Sequence, residues 1–132
     1  MTGTREFSIR TSQREQIVDV TDRVRQVVRE LGVADGIVHI YCPHTTAGIL
    51  IQENSDPDLK EDILEALARL VPREGWRHRE GNADAHLKSI MCGASATLPL
   101  QGGRLMLGTW QDIYFGEFDG PRSRTVIVTV VG

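Results

Sequence analysis

Asp112-Ile-Tyr-Phe-Gly-Glu-Phe118, then Asp119-Gly120-Pro121, then Arg124-Thr-Val-Ile-Val-Thr-Val-Val131 close this chain. An aromatic and β-branched run, a turn cluster and a second β-branched run spell two strands joined by a turn. Just upstream, Ala94 to Leu100 and Arg104 to Leu107 flank Gly102-Gly103, a dipeptide suited to a hairpin turn. Four strands in this order commit the second half of the chain to an antiparallel sheet.

The first half adds strands and helices. Thr4 to Arg10 alternates, with Phe7 and Ile9 on one face, and Gln16 to Val20 is a short second strand. Thr21 reads as an N-cap with Asp22 in the first turn; Val24, Val27, Val28 and Leu31 have helical spacing, and Gly32 ends the helix. Gly36 to Cys42 is apolar enough for a central strand, Pro43 and His44-Thr-Thr form a loop, and Ala47 to Gln52 is another strand. Asp56 caps a helix with Pro57 at its first position; Leu59, Ile63, Leu64, Leu67 and Leu70 make its apolar stripe and Pro72 stops it. A last short helix runs from about Asp84 to Cys92. Eight strands and three helices without regular β–α alternation predict an α+β fold: a single domain over residues 1–132, built on a largely antiparallel β-sheet or sandwich.

Composition narrows the function. A net charge of −3, with lysine and arginine scattered among acids, lacks the basic footprint of a nucleic-acid binder. No apolar run approaches the roughly 18–20 residues of a membrane helix, and the first residues lack a signal-peptide layout, so a cytoplasmic protein is expected. Cys42 and Cys92 form no CxxC pair and read as two buried thiols.

Three segments carry candidate chemistry. Trp76-Arg-His-Arg-Glu-Gly-Asn-Ala-Asp-Ala-His86 places His78, Glu80, Asn82, Asp84 and His86 at a helix start, where unpaired N–H groups favour anions. The same residues also suit a capped helix with a solvated first turn. Asp84 with Lys88 at i+4 can be a surface ion pair worth roughly 0.2–0.5 kcal/mol. The two histidines do not have the spacing of a zinc signature.

His44-Thr-Thr-Ala-Gly is a polar loop after a buried strand, and imidazole suits proton transfer or metal ligation. A loop histidine bonded to nearby backbone is the plainer alternative. In Gly108 to Arg124, Trp110 and Gln111 can form a stacking wall and an amide reader for a flat heterocycle. Glu117 can be a ligand or base, and Arg122 with Arg124 can fork a phosphate. Trp110 can equally fill the core, Glu117 sit exposed on a strand, and the arginines pair with Asp119 or Glu117.

His44-Thr-Thr-Ala, Gln52-Glu-Asn54 with Asp56-Pro57, Gly81-Asn-Ala-Asp-Ala-His-Leu-Lys-Ser89, Gly108-Thr-Trp-Gln111 and Glu117-Phe-Asp-Gly-Pro-Arg122 occur in this order. The set spans nearly the whole chain and resembles the YjbQ family, with no departure at these motifs. The resemblance implies an α+β domain assembled as a homotrimer. It implies a polar cleft near subunit boundaries, and a weak, secondary thiamine-phosphate synthase activity.

That reaction joins hydroxymethylpyrimidine diphosphate to thiazole phosphate and releases pyrophosphate. Carried over by motif, the catalytic candidates are His44, Asp84, His86 and Glu117. Thr45, Asn82, Trp110, Gln111 and Arg122 are substrate-binding candidates. His44, His78 and His86 are candidate ligands for a divalent metal, zinc or magnesium. Trp110 would stabilise a pyrimidine carbocation. The chain has neither a glycine-rich phosphate loop nor an Asp-rich magnesium motif, in keeping with a secondary activity. The expected partner is a small phosphorylated or heterocyclic metabolite. The alternative is a non-catalytic trimeric module that binds a metal or small ligand.

Overall fold

The computed structural model describes residues 2–132. Among these residues the order is β1 (Thr2–Arg10), β2 (Gln16–Asp19), α1 (Thr21–Leu31), β3 (Gly36–Tyr41), β4 (Ala47–Glu53), α2 (Pro57–Leu70), α3 (Ala83–Cys92), β5 (Ser95–Gln101), β6 (Arg104–Leu105), β7 (Gln111–Glu117) and β8 (Ser123–Val131). This is the single-domain α+β fold expected. Two sheets form, with strand orders β1-β8-β3-β5-β6 and β2-β7-β4. The described pairings are antiparallel.

Strand alternation builds the core. On β8, Val126, Val128 and Val130 are buried while Thr125, Ile127 and Thr129 are only half-buried. They meet Phe7 and Ile9 of β1, Val38 and Ile40 of β3, Ile113 and Phe115 of β7, and Val24, Val27 and Val28 of α1. Two residues that are not apolar share these inward faces: Arg124 continues the valine series on β8, and Glu117 continues Ile113 and Phe115 on β7.

Several local expectations are corrected. Thr21 is not the cap of α1. Val20 takes that position, and the Thr21 hydroxyl instead accepts from Ile113 N at 2.8 Å, tying the helix to β7. Asn82 stands at the N-cap of α3 without a side-chain cap bond. The return strand after Gly102-Gly103 is only the two residues of β6. Cys42 is buried as expected, but Cys92 is only half-buried, and both are free.

The start of α2 follows the sequence reading: the Asp56 carboxylate accepts from Asp58 N at 2.9 Å, and proline opens the helix. Its stripe is only partly covered: Leu59, Ile63, Leu64 and Leu67 are half-buried. Among the described residues no α2 side chain is buried, and Leu70 is 69% exposed.

α3 is seated on β4 by close backbone approach. Ser89 Oγ donates to Ala47 O at 2.6 Å, and Ile49 N donates to Gly93 O at 3.1 Å. A Cβ on Gly48 would stand 2.7 Å from Gly93 O, so only glycine allows this contact. The helix carrying Asn82 and His86 is thereby held at the end of β4, beside the loop carrying His44.

Candidate active site

A cleft of about 330 Å³ opens where the β3–β4 loop, the start of α3 and the β7–β8 turn meet. His44, Thr45, Asn82, His86 and Arg122, nominated separately from sequence, all line it. Thr46, Glu80, Asp119 and Arg124 join them.

His44 is fixed by the sheet. Its Nε2 accepts from Thr125 N at 2.9 Å. Nε2 therefore carries the lone pair, and the proton of the neutral ring is on Nδ1. Burial, then the Arg124 guanidinium, hold the His44 pKa below its ordinary value, which favours that neutral form. His44 is thus a hydrogen-bond donor to the cleft. Metal ligation through Nε2 would require breaking the bond to Thr125.

His86 differs. Among the described residues its imidazole has no hydrogen-bond partner, and its ring lies against His78 with centroids 5.0 Å apart. His78 lies outside the polar cleft, in an adjoining apolar hollow of about 340 Å³ that it shares with Trp76, Leu87 and His86. Among the described residues no three His, Cys, Asp or Glu side chains form a metal-holding group. The proposed ligands His44, His78 and His86 do not make a complete set within one chain.

Asn82 Nδ2 donates to Asp119 Oδ2 at 2.8 Å, which leaves Asn82 Oδ1 buried without a partner. Turning the amide would set its oxygen against the Asp119 carboxylate, so the orientation is fixed by charge. A buried acceptor without a donor costs about 1–3 kcal/mol, and a donor group on a ligand would relieve it. Arg122 is held by the same carboxylate, through Nη2 to Asp119 Oδ2 at 3.0 Å and Nε to Asp119 O at 2.7 Å. Its Nη1 has no partner among the described residues.

Glu117 is not available as a base. It is 0% exposed. Oε1 accepts from Thr11 Oγ1 and Arg124 Nε, each at 2.8 Å; Oε2 accepts from Asp119 N at 3.1 Å and closely from Arg124 Nη2. Burial alone would raise this carboxyl, but the bonds from Arg124, Thr11 and Asp119 outweigh it and hold it below the ordinary glutamate value. Its role is to fix Arg124, which also donates to Thr46 Oγ1 at 2.8 Å.

Asp84 is likewise structural. It is buried beneath the start of α3, between Arg14 Nη2 at 3.2 Å and Lys88 Nζ at 3.5 Å, with Lys88 also donating to Glu15 at 3.1 Å. Lys88 is 1% exposed, so the pair expected on the surface lies in the interior. Burial would raise the Asp84 carboxyl, and the hydrogen bonds and charge of Arg14, then Lys88, bring it below its ordinary value. Asp84→Ala leaves Lys88 without this counter-charge. The variant is expected to lose about 3 kcal/mol of unfolding free energy. Urea denaturation checks this, and a loss below about 0.5 kcal/mol, the range of ordinary surface substitutions, would show the network to be screened by solvent.

Trp110 and Gln111 are not part of this cleft within one chain. Gln111 and Glu117 begin and end β7, about 20 Å apart at the usual rise per residue. Trp110 is 64% exposed, neither core filler nor neighbour of His44. Gln111 lines a different hollow, with Arg25, Arg29 and Arg104.

The comparisons agree with this architecture. Residues 5–132 match the family model described as UPF0047 protein YjbQ-like. The UPF0047 protein YugU of Bacillus subtilis is 48% identical over 96% of this chain and 97% of its own. The crystal structure of an uncharacterized conserved protein of the YjbQ/UPF0047 family from Clostridium acetobutylicum superposes with a TM-score of 0.94 at 48% identity, covering 96% of this chain and 99% of that one. A YbjQ-like protein of unknown function from Sulfolobus solfataricus superposes with a TM-score of 0.96 at 34% identity, over 100% of this chain and 98% of that one. With the family's length, fold and sequence pattern all present, the chain belongs to the YjbQ family, UPF0047.

Proposed function

We propose that the His44–His86 cleft binds a small phosphorylated metabolite and supports a weak thiamine-phosphate synthase reaction. The observation that carries this reading is the meeting, in one cleft, of cationic and neutral donors (Arg122, Arg124, His44) with the orphaned acceptor Asn82 Oδ1. Such a site favours an anion that also offers an N–H or O–H group. The guanidinium groups and the His44 Nδ1–H bind phosphoryl oxygens. His86 transfers a proton to the departing oxygen. The C–O bond of hydroxymethylpyrimidine diphosphate breaks, pyrophosphate leaves, and the thiazole nitrogen forms the new C–N bond.

The polar cleft and the apolar hollow share His86. A phosphoryl group in the first places a ring in the second, against Trp76 and Leu87. The test is product formation from the two precursors, read by chromatography against heat-killed protein. No product above that control removes the synthase reading. A ligand-binding module is then the reading retained if the precursors still shift the His44 and His86 ring resonances.

A divalent zinc or magnesium ion at this face would use the His78–His86 pair and complete its ligand set from a second copy of the chain. The steps above do not pass through it. Metal analysis of the purified protein beside His86→Ala tests the pair.

The chain is proposed to assemble as a homotrimer, in which a neighbouring copy would cover α2. Ile63 and Leu67 of α2 line an apolar hollow of about 490 Å³ with Met91 and Ile51. Burying such side chains is worth about 1.5–3 kcal/mol each. Light scattering is expected to give three times the 14.7 kDa chain mass. Leu67→Glu with Met91→Glu is expected to yield monomer, and a trimer that survives the double substitution places the interface elsewhere. Among the described residues no helix is long and apolar enough to cross a membrane.

A further inference from the structure

The hollow that contains Gln111 is larger than the histidine cleft, about 610 Å³, within the usual range for small-molecule sites. It lies at the other end of β7 from Glu117, and its cations come from separate elements: Arg25 and Arg29 from α1, Arg104 from β6. Arg29 has a local reason for its place, since the last turn of a helix favours a cation. That reason does not extend to Arg104, which approaches from the β5–β6 hairpin. Neither Arg29 nor Arg104 has a carboxylate partner among the described residues, in a chain with 18 acids against 15 bases. Arg25 is bound only to Asp22, whose side chain is 95% exposed, and water screens such a pair.

The neutral lining is arranged in the same sense. Gln111 Oε1 accepts from Gly108 N at 2.8 Å, which leaves both N–H groups of its carboxamide unpaired. The single acid in the lining, Asp112, accepts from Asn54 Nδ2 at 3.3 Å. Burial, then its hydrogen bond with Asp19, raises its pKa above the ordinary value, against the opposing effects of Asn54 and Arg25. Three exposed guanidinium groups facing one engaged carboxyl leave the hollow with an excess of positive charge, which attracts anions.

We propose that this hollow is a second binding site, distinct from the histidine cleft, and that it takes the diphosphate group of a small molecule. Guanidinium forks suit phosphoryl oxygens because they bind them in bidentate fashion. Two linked phosphoryl groups supply the charge to match three arginines, which a monoanion does not. The carboxamide of Gln111 donates to a further oxygen.

The test titrates the intact protein with inorganic pyrophosphate, with adenosine diphosphate and with sodium chloride, by calorimetry and by amide NMR. Saturable binding of pyrophosphate or adenosine diphosphate is expected, with shifts at Gly103, Gly108 and the Gln111 side chain that chloride does not reproduce. Preference for the organic diphosphate identifies an ester as the ligand, and preference for pyrophosphate identifies the free anion. Arg29→Ala with Arg104→Ala is expected to weaken binding at least about tenfold, while Arg122→Ala in the other cleft leaves the Gly103 and Gln111 shifts intact. Both arginines are exposed, so the double variant is expected to fold, as circular dichroism will show. The proposal is overturned if pyrophosphate and adenosine diphosphate leave these signals unmoved, or if the double variant binds as the parent does. Neither result bears on turnover at His86, which is read by product formation.

Discussion

Glu117→Gln is expected to lower the unfolding free energy by about 4 kcal/mol, the scale for removing one partner of a buried ion pair. Glutamine keeps the shape but leaves the Arg124 guanidinium buried without a counter-charge. Against a domain stability of about 5–15 kcal/mol, that loss is large enough to read as a displaced urea midpoint. The pH dependence identifies its cause. The folded carboxyl sits below the ordinary glutamate value of 4.5. Its contribution is therefore complete above that pH and is lost as pH falls through the folded value. The gap between parent and variant should narrow in acid. If Glu117→Gln fails to fold, Glu117→Gln with Arg124→Met removes both charges and should recover part of the loss. A double variant no more stable than the single one would show that the charge pair is not the source.

His86→Ala is expected to reduce kcat/KM for thiamine-phosphate formation by about 10²- to 10⁴-fold, the usual contribution of a positioned general acid or base. This prediction rests on the proposed function. His86 has the imidazole in the cleft that hydrogen bonds leave uncommitted, whereas His44 is bound to Thr125. The two histidines should therefore behave differently. His86→Ala should lower kcat at every pH, while a His44 variant should chiefly raise KM by loosening the phosphoryl group. The fold and its melting temperature should survive His86→Ala. Turnover within threefold of the parent would remove His86 from the proton-transfer role.

Much of this fold was legible because its elements repeat simple local rules. Period-two alternation marked β8, Gly102-Gly103 marked the turn before β6, and Asp56-Pro57 marked the start of α2, whereas the division of β7 and β8 between two sheets left no local mark. The Thr21 hydroxyl could not be placed from sequence, because its partner Ile113 lies 92 residues away. Asn82 stands at the N-cap position of α3, but its side chain bonds to Asp119 across 37 residues, a partner that no local pattern marks.

Candidate site residues from three distant segments do line one cleft, yet the two carboxylates nominated with them do not face it. Here the sequence contained a usable signal. Glu117 follows Ile113 and Phe115 at two-residue intervals, and Arg124 precedes Val126 and Val128 in the same way. That register turns both side chains inward, where an acid and a base are more readily each other's partners than a ligand's. Asp84 and Lys88 gave no equivalent signal. Their burial depends on Arg14 and Glu15, which arrive from the β1–β2 loop.

Because Arg124 is carried on the valine face of β8, the cleft has two kinds of position for anyone seeking to redirect its ligand preference. Arg124 and Glu117 are components of the interior, and a library built on them selects first for chains that fold. Thr45, Glu80 and Arg122 are exposed and His86 is half-buried, all four on loops or a helix face around the same opening. Diversity introduced at these four positions can alter recognition while the sheet beneath them stays unchanged. The division between Arg122 and Arg124, two residues apart and both bordering the cleft, is thus one between a replaceable fitting and a structural beam.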